Sequence, residues 1–258
     1  MPILKMKAIW DYSTYNKPFF LLIFLLFVIL KFVMENYDDA NAPFIFSVAF
    51  LLNMLLCGYG MTIARDRMNN GVRLPKIMVK DVLIFGIEST IISLIYIAVQ
   101  GIILDWICSP LNFPAFDLEE MLTNLPHAIH SLFSHNPVNA LTFLVLGGII
   151  FYATSFFMEI ALARLADTGS VISAFNVVGI KEDIDAIGKW NYAKEFTIIV
   201  LAIALFTALK YIVIPVPILN YIWDVLLAFL IFVTQFWCIG AIYSVVKEKK
   251  SDSFEESG

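Results

Sequence analysis

Six long runs of apolar residues limit what this chain can fold into. Each run is close to the length of about 20 residues that a helix needs to cross the roughly 30 Å hydrocarbon core of a bilayer. The runs are continuous, without the alternation of apolar and polar residues that marks the strands of a membrane barrel. We therefore predict an all-α integral membrane protein with six transmembrane helices, over residues 18–34, 43–64, 82–107, 140–165, 196–214 and 222–246.

Composition supports this class of protein. The chain of 258 residues is 60% hydrophobic and 15% charged, whereas an ordinary soluble domain has about 25% charged residues. Its 23 phenylalanines would be hard to bury in a soluble globule of this size. The net charge of −5 is modest, and nothing in the sequence indicates a nucleic-acid partner.

Two segments between the spans have helical patterns of their own. Residues 175–190 (FNVVGIKEDIDAIGKW) place apolar residues at helical spacing opposite charged ones, which predicts an amphipathic helix on the inner face of the membrane. The apolar positions are Val177, Ile180, Ile184 and Ile187, and the charged ones are Lys181, Glu182, Asp185 and Lys189. Residues 116–133 alternate apolar and polar residues around Pro126, which predicts a bent amphipathic helix on the outer face.

The spans and these two helices define the expected domain organisation. The first run is longer than the apolar core of a signal peptide, so we expect it to be a true span. We expect residues 1–246 to form a single transmembrane domain. Residues 247–258 are polar and charged, which is typical of a disordered tail.

The basic residues predict how the chain is oriented. Fifteen of the seventeen lysines and arginines lie before the first span, after the last, or in the connections that follow spans two and four. Cytoplasmic connections carry such an excess of basic residues, so both termini are predicted to be cytoplasmic in the cell membrane. The other two, Lys31 and Lys210, lie near outer helix ends, where long side chains reach the headgroups.

A short pattern occurs twice. Residues 61–75 (MTIARDRMNNGVRLP) and 160–175 (IALARLADTGSVISAF) each place Ala-Arg at the inner end of a span. A polar stretch and a glycine follow, Gly71 in the first copy and Gly169 in the second, before the chain re-enters the membrane. The pattern suggests an internal parallel repeat, in which spans two and three correspond to spans four and five.

At these residues the sequence resembles a known family. GYGMTIARDRMNNGVRLP (58–75), followed by VLIFGIESTIISLIY (82–96), resembles the domain of unknown function 4013 family, polytopic membrane proteins mostly of archaea and some bacteria. ALARLADTGSVISAFNVVGIKEDI (161–184) is similar to the second half of that family's pattern. Where such proteins commonly carry an acidic stretch, this chain has KIMVKD. The resemblance covers roughly residues 43–213 and implies an uncharacterised membrane family, with no reaction or substrate attached.

Three arginines are candidate site residues. Arg65, Arg67 and Arg164 lie at inner helix ends, where cations suit the helix dipole and meet anionic headgroups. This anchoring interpretation is the one we favour. The alternative is that the two turns converge to bind an anion or a lipid headgroup through the planar guanidinium groups.

Two carboxylates are candidate intramembrane ionisable groups. Glu88 lies about two helical turns inside the third span, and Glu159 lies in the fourth. A carboxylate in a membrane span is costly unless it is paired, protonated or facing water. These residues are therefore candidates for proton or cation transfer. The alternative is an ion pair or hydrogen bond within the bundle, for example of Glu88 with Arg65 or of Glu159 with an arginine of a neighbouring span.

Motifs for metal binding and catalysis are absent from the sequence. His127, His130 and His135 occur without a recognised ligand pattern, so we expect neither a metal site nor a cofactor. The three cysteines have no paired spacing. Nucleophile elbows and phosphate-binding glycine loops are also missing. We therefore expect that the protein is not an enzyme.

These observations leave three functional hypotheses. The favoured one is a non-catalytic membrane scaffold, assembly or partner-binding subunit, in contact with lipids and with either a protein partner or further copies of itself. The alternative is a small-solute transporter or permease component that uses Glu88 and Glu159. A membrane-embedded enzyme acting on lipid is the third, and it lacks an identifiable set of catalytic groups.

Overall fold

The computed structural model describes residues 5–36, 42–109, 133–134, 137–212 and 214–255. Within these ranges the regular structure is helical and contains no strand. The principal helices are α1 (Met6–Tyr15), α2 (Lys17–Glu35), α3 (Ala42–Met68), α4 (Val79–Cys108), α5 (Pro137–Thr168), α6 (Val171–Ala174), α7 (Val177–Ile187), α8 (Lys189–Leu209) and α9 (Pro217–Glu255).

Six of these helices are long and apolar enough to cross a membrane, namely α2, α3, α4, α5, α8 and α9. The prediction of an all-α membrane protein with six spans is therefore confirmed. The amphipathic inner helix predicted within residues 175–190 corresponds to α7. The outer amphipathic helix predicted over 116–133 and the three histidines fall almost wholly outside the described residues.

Two helices, α8 and α9, have ends that differ from the boundaries predicted by hydropathy. Helix α8 begins at Lys189 instead of 196 and ends at Leu209 instead of 214. Helix α9 begins at Pro217, where a missing N–H costs nothing, and ends at Glu255. It therefore includes most of the segment that the sequence analysis expects to be a disordered tail.

The chain forms two compact units. One comprises Met1–Ile92 and Glu159–Gly258, and the other comprises Ser93–Met158. The boundaries fall inside α4 and inside α5. In the second unit, the Thr154 hydroxyl lies 3.3 Å from the side-chain oxygen of Gln100 and so joins these two helices. The single transmembrane domain over 1–246 stays a prediction.

Helix α9 is the centre of the first unit. In its most apolar window 72% of the residues are buried, against 6% in α2. It packs mainly against α3, and glycines set the separation. A β-carbon at Gly240 would overlap the Ala64 carbonyl, and one at Gly60 would overlap the Phe236 ring. Small residues allow such close helix packing in membranes, where lipid tails are as apolar as the side chains.

A polar cluster joins α2 to α9 at the end away from the arginine-bearing turns. Lys31 donates to Asp224, lies 3.3 Å from Glu35 and sits over the Tyr221 ring at 4.9 Å. The Tyr221 hydroxyl donates to the Val28 carbonyl at 2.8 Å. Lys31, expected to reach the headgroups, is thus paired within the protein.

We predict that a methyl group at Gly240 separates α3 from α9. Gly240→Ala should lower the stability of the purified protein by about 1–3 kcal/mol, because the atom that it meets is backbone and cannot rotate away. Gly148→Ala is the matched control, since a β-carbon there meets no atom within 4 Å in the described part of the chain. Thermal unfolding in mild detergent measures both variants. Equal melting temperatures for the two would contradict the packing.

Candidate functional site

The arginine-bearing turn after α3 is built on a specific helix cap. The amide of Gly71 donates to the Asp66 carbonyl at 2.8 Å, and that of Asn70 donates to the Arg67 carbonyl at 3.1 Å. Asn70 has φ of 60°, the left-handed conformation that asparagine tolerates better than most residues. This is the Schellman arrangement, which satisfies carbonyls left free at a helix C-terminus.

Helix α1 and two tyrosines fix the extended segment that follows the turn. The Tyr12 hydroxyl donates to Asp66 at 2.9 Å, and the Tyr12 carbonyl accepts from the Leu74 amide at 3.3 Å. The Tyr59 hydroxyl donates to the Pro75 carbonyl at 3.0 Å. Burial, followed by the charge of Asp66, raises the pKa of the Tyr12 phenol, so it stays a donor at neutral pH.

A cavity of about 250 Å³ lies between the end of α3, this segment and the start of α4. Its walls include Arg65, Asp66, Asn69, Lys76, Asp81 and Phe85. The Arg65 guanidinium lies over the Phe85 ring at 5.7 Å and is exposed. Among the described residues no hydrogen bond or ion pair engages it. The cavity therefore contains a planar cation whose N–H groups are available.

The other two candidate arginines lie in different environments. Arg67 lies over the Trp237 ring at 4.8 Å, in the contact between α3 and α9. Arg164 donates to the Ser173 carbonyl at 2.9 Å and to Asp183 at 2.5 Å. The three arginines thus have different neighbours: Arg65 lies over Phe85, Arg67 over Trp237, and Arg164 is bonded to Ser173 and Asp183.

Asp183 is the polar centre of the connection between α5 and α8. Its side chain is fully buried, and its Oδ2 accepts from Arg164 Nη1 at 2.5 Å and from the Tyr243 hydroxyl at 2.9 Å. Its Oδ1 accepts from Lys250 Nζ at 2.8 Å. These three donors offset the cost of burying the carboxylate and tie α7 to the end of α5 and to α9.

The sequence analysis overlooked Asp183, although a signal was present. Asp183 follows Ile180 by three residues and precedes Ile187 by four, which places it on the apolar face of α7. A lone carboxylate on an otherwise apolar face indicates a buried partner. Asn176 caps the N-terminus of α7, and its side chain accepts from the Gly179 amide at 3.0 Å.

A known protein family includes the region of both arginine-bearing turns. A family model described as a protein of unknown function (DUF4013) matches residues 42–218, more than half of the chain. The chain belongs to the DUF4013 family. The resemblance carried by the two arginine-bearing turns is thus confirmed. No curated protein and no solved structure gives a match.

The repeated pattern of this DUF4013 protein has a structural counterpart at the helix ends. The residue five positions after each arginine has a left-handed conformation, with φ of 60° at Asn70 and 65° at Gly169. Asn70, and not Gly71, is therefore the equivalent of Gly169. The copies then differ, because an extended segment leads directly to α4 whereas α6 and α7 precede α8.

The candidate carboxylates lack the predicted arginine partners. Glu159 accepts from the Gln235 side chain of α9 at 3.2 Å, which is a hydrogen bond within the bundle. Its Oε2, like the Oε2 of Glu88, is buried and has no hydrogen-bond partner in the described part of the chain. Glu195 of α8, which the sequence analysis did not single out, is a further buried carboxylate. The described residues contain no group of three metal-ligating side chains.

We predict that Asp183 is essential for the stability of this connection. Asp183→Asn should lower the free energy of unfolding by about 3 kcal/mol, because Arg164, with a side chain only 12% exposed, loses its counter-charge. Asp185→Asn is the control, since its pair with Lys189 is exposed and should contribute less than about 1 kcal/mol. Thermal unfolding in detergent distinguishes the two. Unchanged stability in Asp183→Asn would contradict the role assigned to the carboxylate.

Proposed function

We propose that this DUF4013 protein is a non-catalytic subunit of the cell membrane that binds a protein partner at its cytoplasmic face. In this proposal both termini are cytoplasmic, as the distribution of basic residues favours. The connection between α5 and α8 then lies on the cytoplasmic side. Its α7 is the element that a partner contacts.

The observation that carries the proposal is a set of exposed apolar residues in and just before α7. Ile172, Val177 and Val178 are 84%, 76% and 67% exposed, although each is a large hydrophobic residue. All three residues lie in the connection between the candidate spans Pro137–Thr168 and Lys189–Leu209. Their exposure is therefore not explained by a position inside a membrane span. We call Ile172 of α6 and Val177 and Val178 of α7 together the α7 patch. Exposed apolar groups outside membrane spans are typical of interaction sites.

The charges around the α7 patch favour a protein over a lipid surface. The exposed charged residues of α7 and of its junction with α8 are Lys181, Glu182, Asp185 and Lys189. These two cations and two anions cancel, so α7 itself gives an anionic lipid surface little electrostatic attraction, and the neighbouring Lys249 and Lys250 donate to the Ala186 carbonyl and to Asp183. A mixed polar rim around an apolar centre is the usual composition of a protein interface.

The buried face of α7 supports a scaffolding role. Ile180, Ile184 and Ile187 pack into the unit, and Asp183 is held by three donors. All of these groups serve to fix α7 in place. A rigid surface loses little conformational entropy on binding, which favours its use for docking.

The test is co-isolation from native membranes in mild detergent, followed by mass spectrometry. We expect a partner in stoichiometric amount with the wild type. We also expect its loss from the double variant Val177→Ser, Val178→Ser, with an unchanged melting temperature. Val72→Ser is the matched control, because Val72 is 74% exposed on the other turn. A wild-type protein without a protein partner, or a partner kept by the double variant, would refute the proposal.

A second candidate function is proton-coupled or cation-coupled transport of a small solute. It is favoured by the unsatisfied, buried Oε2 atoms of Glu88 and Glu159, since intramembrane carboxylates commonly serve proton or ion pathways. In reconstituted vesicles, Glu159→Gln and Glu88→Gln should then abolish an ion flux that the wild type supports, without changing its melting temperature. If wild-type vesicles show no ion flux above that of empty vesicles, this candidate is wrong.

A further inference from the structure

We propose that the cavity between α3 and α4 binds a phosphate group, with Arg65 and Lys76 as its cationic ligands. The phosphate belongs either to a lipid headgroup or to a soluble phosphate ester. This site is separate from the α7 patch and does not depend on the proposed partner.

Arg65 is positioned for this role. The centroid of the Phe85 ring lies 5.7 Å from the guanidinium carbon, a cation–π contact that uses none of the N–H donors, and no hydrogen bond among the described residues uses them. A planar guanidinium binds phosphate oxygens through paired hydrogen bonds. Arg67, which lies over the Trp237 ring, and Arg164, which is paired with Asp183, are not in the cavity wall.

Lys76 directly follows two residues that hydrogen bonds hold in place. The Leu74 amide is bonded to α1, and the Pro75 carbonyl accepts from the Tyr59 hydroxyl. The Lys76 side chain is exposed and lines the same cavity as Arg65. The two cations thus line one cavity, Arg65 from a helix end and Lys76 from the following loop.

The cavity wall contains two cations and two carboxylates, and the turn around it is basic. Residues 65–81 contain five basic and two acidic residues. Asp66 already accepts from the Tyr12 hydroxyl at 2.9 Å. Asp81 lies in the first turn of α4, where the helix dipole stabilises a negative charge. These carboxylates suit a phosphate that carries hydroxyl or ammonium donors nearby, as the headgroups of phospholipids do.

The size and surroundings of the cavity favour the lipid source. A volume of about 250 Å³ is smaller than the roughly 300–1,000 Å³ of a site for a drug-sized ligand. Met78 lines the cavity and is 61% exposed. From there Leu83, Ile84, Ile87 and Ile91 form an exposed apolar stripe along α4. A headgroup in the cavity would therefore have its acyl chains against this stripe.

The experiment uses the full-length protein, purified in detergent and depleted of lipid. Three compounds are titrated while the melting temperature is recorded: a short-chain phosphatidylglycerol, glycerol phosphate and inorganic phosphate. A ligand that binds only the folded state raises the melting temperature, and at equal ligand concentration the ligand with the lower Kd raises it more. We expect the short-chain lipid to bind most tightly. Glycerol phosphate binding as tightly as the lipid would support the same site with a soluble ligand.

Variants locate the site. Arg65→Gln should weaken lipid binding about tenfold or more, through loss of a charge-assisted contact, and Arg65→Lys should restore part of it. Arg73→Gln is the matched control, because Arg73 is exposed on the same turn but is not in the cavity wall. Lys76→Gln, at an exposed position, provides a second test if Arg65→Gln fails to fold.

Three results would overturn the proposal. The first is that none of the three compounds raises the melting temperature. The second is that Arg73→Gln weakens binding as much as Arg65→Gln, which would indicate general charge attraction. The third is that a short-chain diacylglycerol, which has no phosphate, stabilises the protein as much as the phospholipid does.

Discussion

The arrangement of α7 against α5 and α9 depends on the hydrogen bonds that the buried Asp183 carboxylate accepts. Helices in a bilayer gain little from hydrophobic burial against one another, so close packing and polar contacts decide how they associate. Arg164, Tyr243 and Lys250 bring donors from α5 and α9 to one side chain of α7. Each partner is costly to bury alone, and together they define one position for α7.

The second constraint is the close contact of α3 with α9, which shapes the arginine-bearing turn. Gly240 lets α9 approach the last turns of α3, and Arg67 closes the contact by covering Trp237. Because Arg67 faces α9, Arg65 lies on a different side of the helix, toward α4 and the cavity. The helix cap at Asn70 and the hydrogen bonds of Tyr12 and Tyr59 then fix the path of the chain from α3 to α4. Two neighbouring arginines thus have different roles.

The sequence predicts the spans, the family and the inner amphipathic helix, because hydropathy and helical periodicity report what a residue faces. Hydropathy and periodicity do not report which particular residue of another helix a side chain contacts. Arg164 resembles Arg65 in the repeated pattern. The carboxylate of Asp183, nineteen positions after Arg164, pairs with Arg164 and not with Arg65. For Glu159, an arginine of a neighbouring span is the example of a bundle partner given above, whereas the structure pairs it with Gln235, which is 76 positions away. Such pairings depend on helix rotation and separation, and these are set by contacts such as Gly240 with Ala64.

The measurement that tests this account most directly is hydrogen–deuterium exchange of the wild-type protein, read at residues 177–187. If Asp183 fixes α7 against α5 and α9, the amides of Ile184 and Ile187 should be protected to a degree similar to those in the inner half of α9. Exchange of these amides at the rate of an unstructured peptide would contradict the account. Helix α7 would then be free to detach, and neither the Asp183 network nor a rigid docking surface could stand.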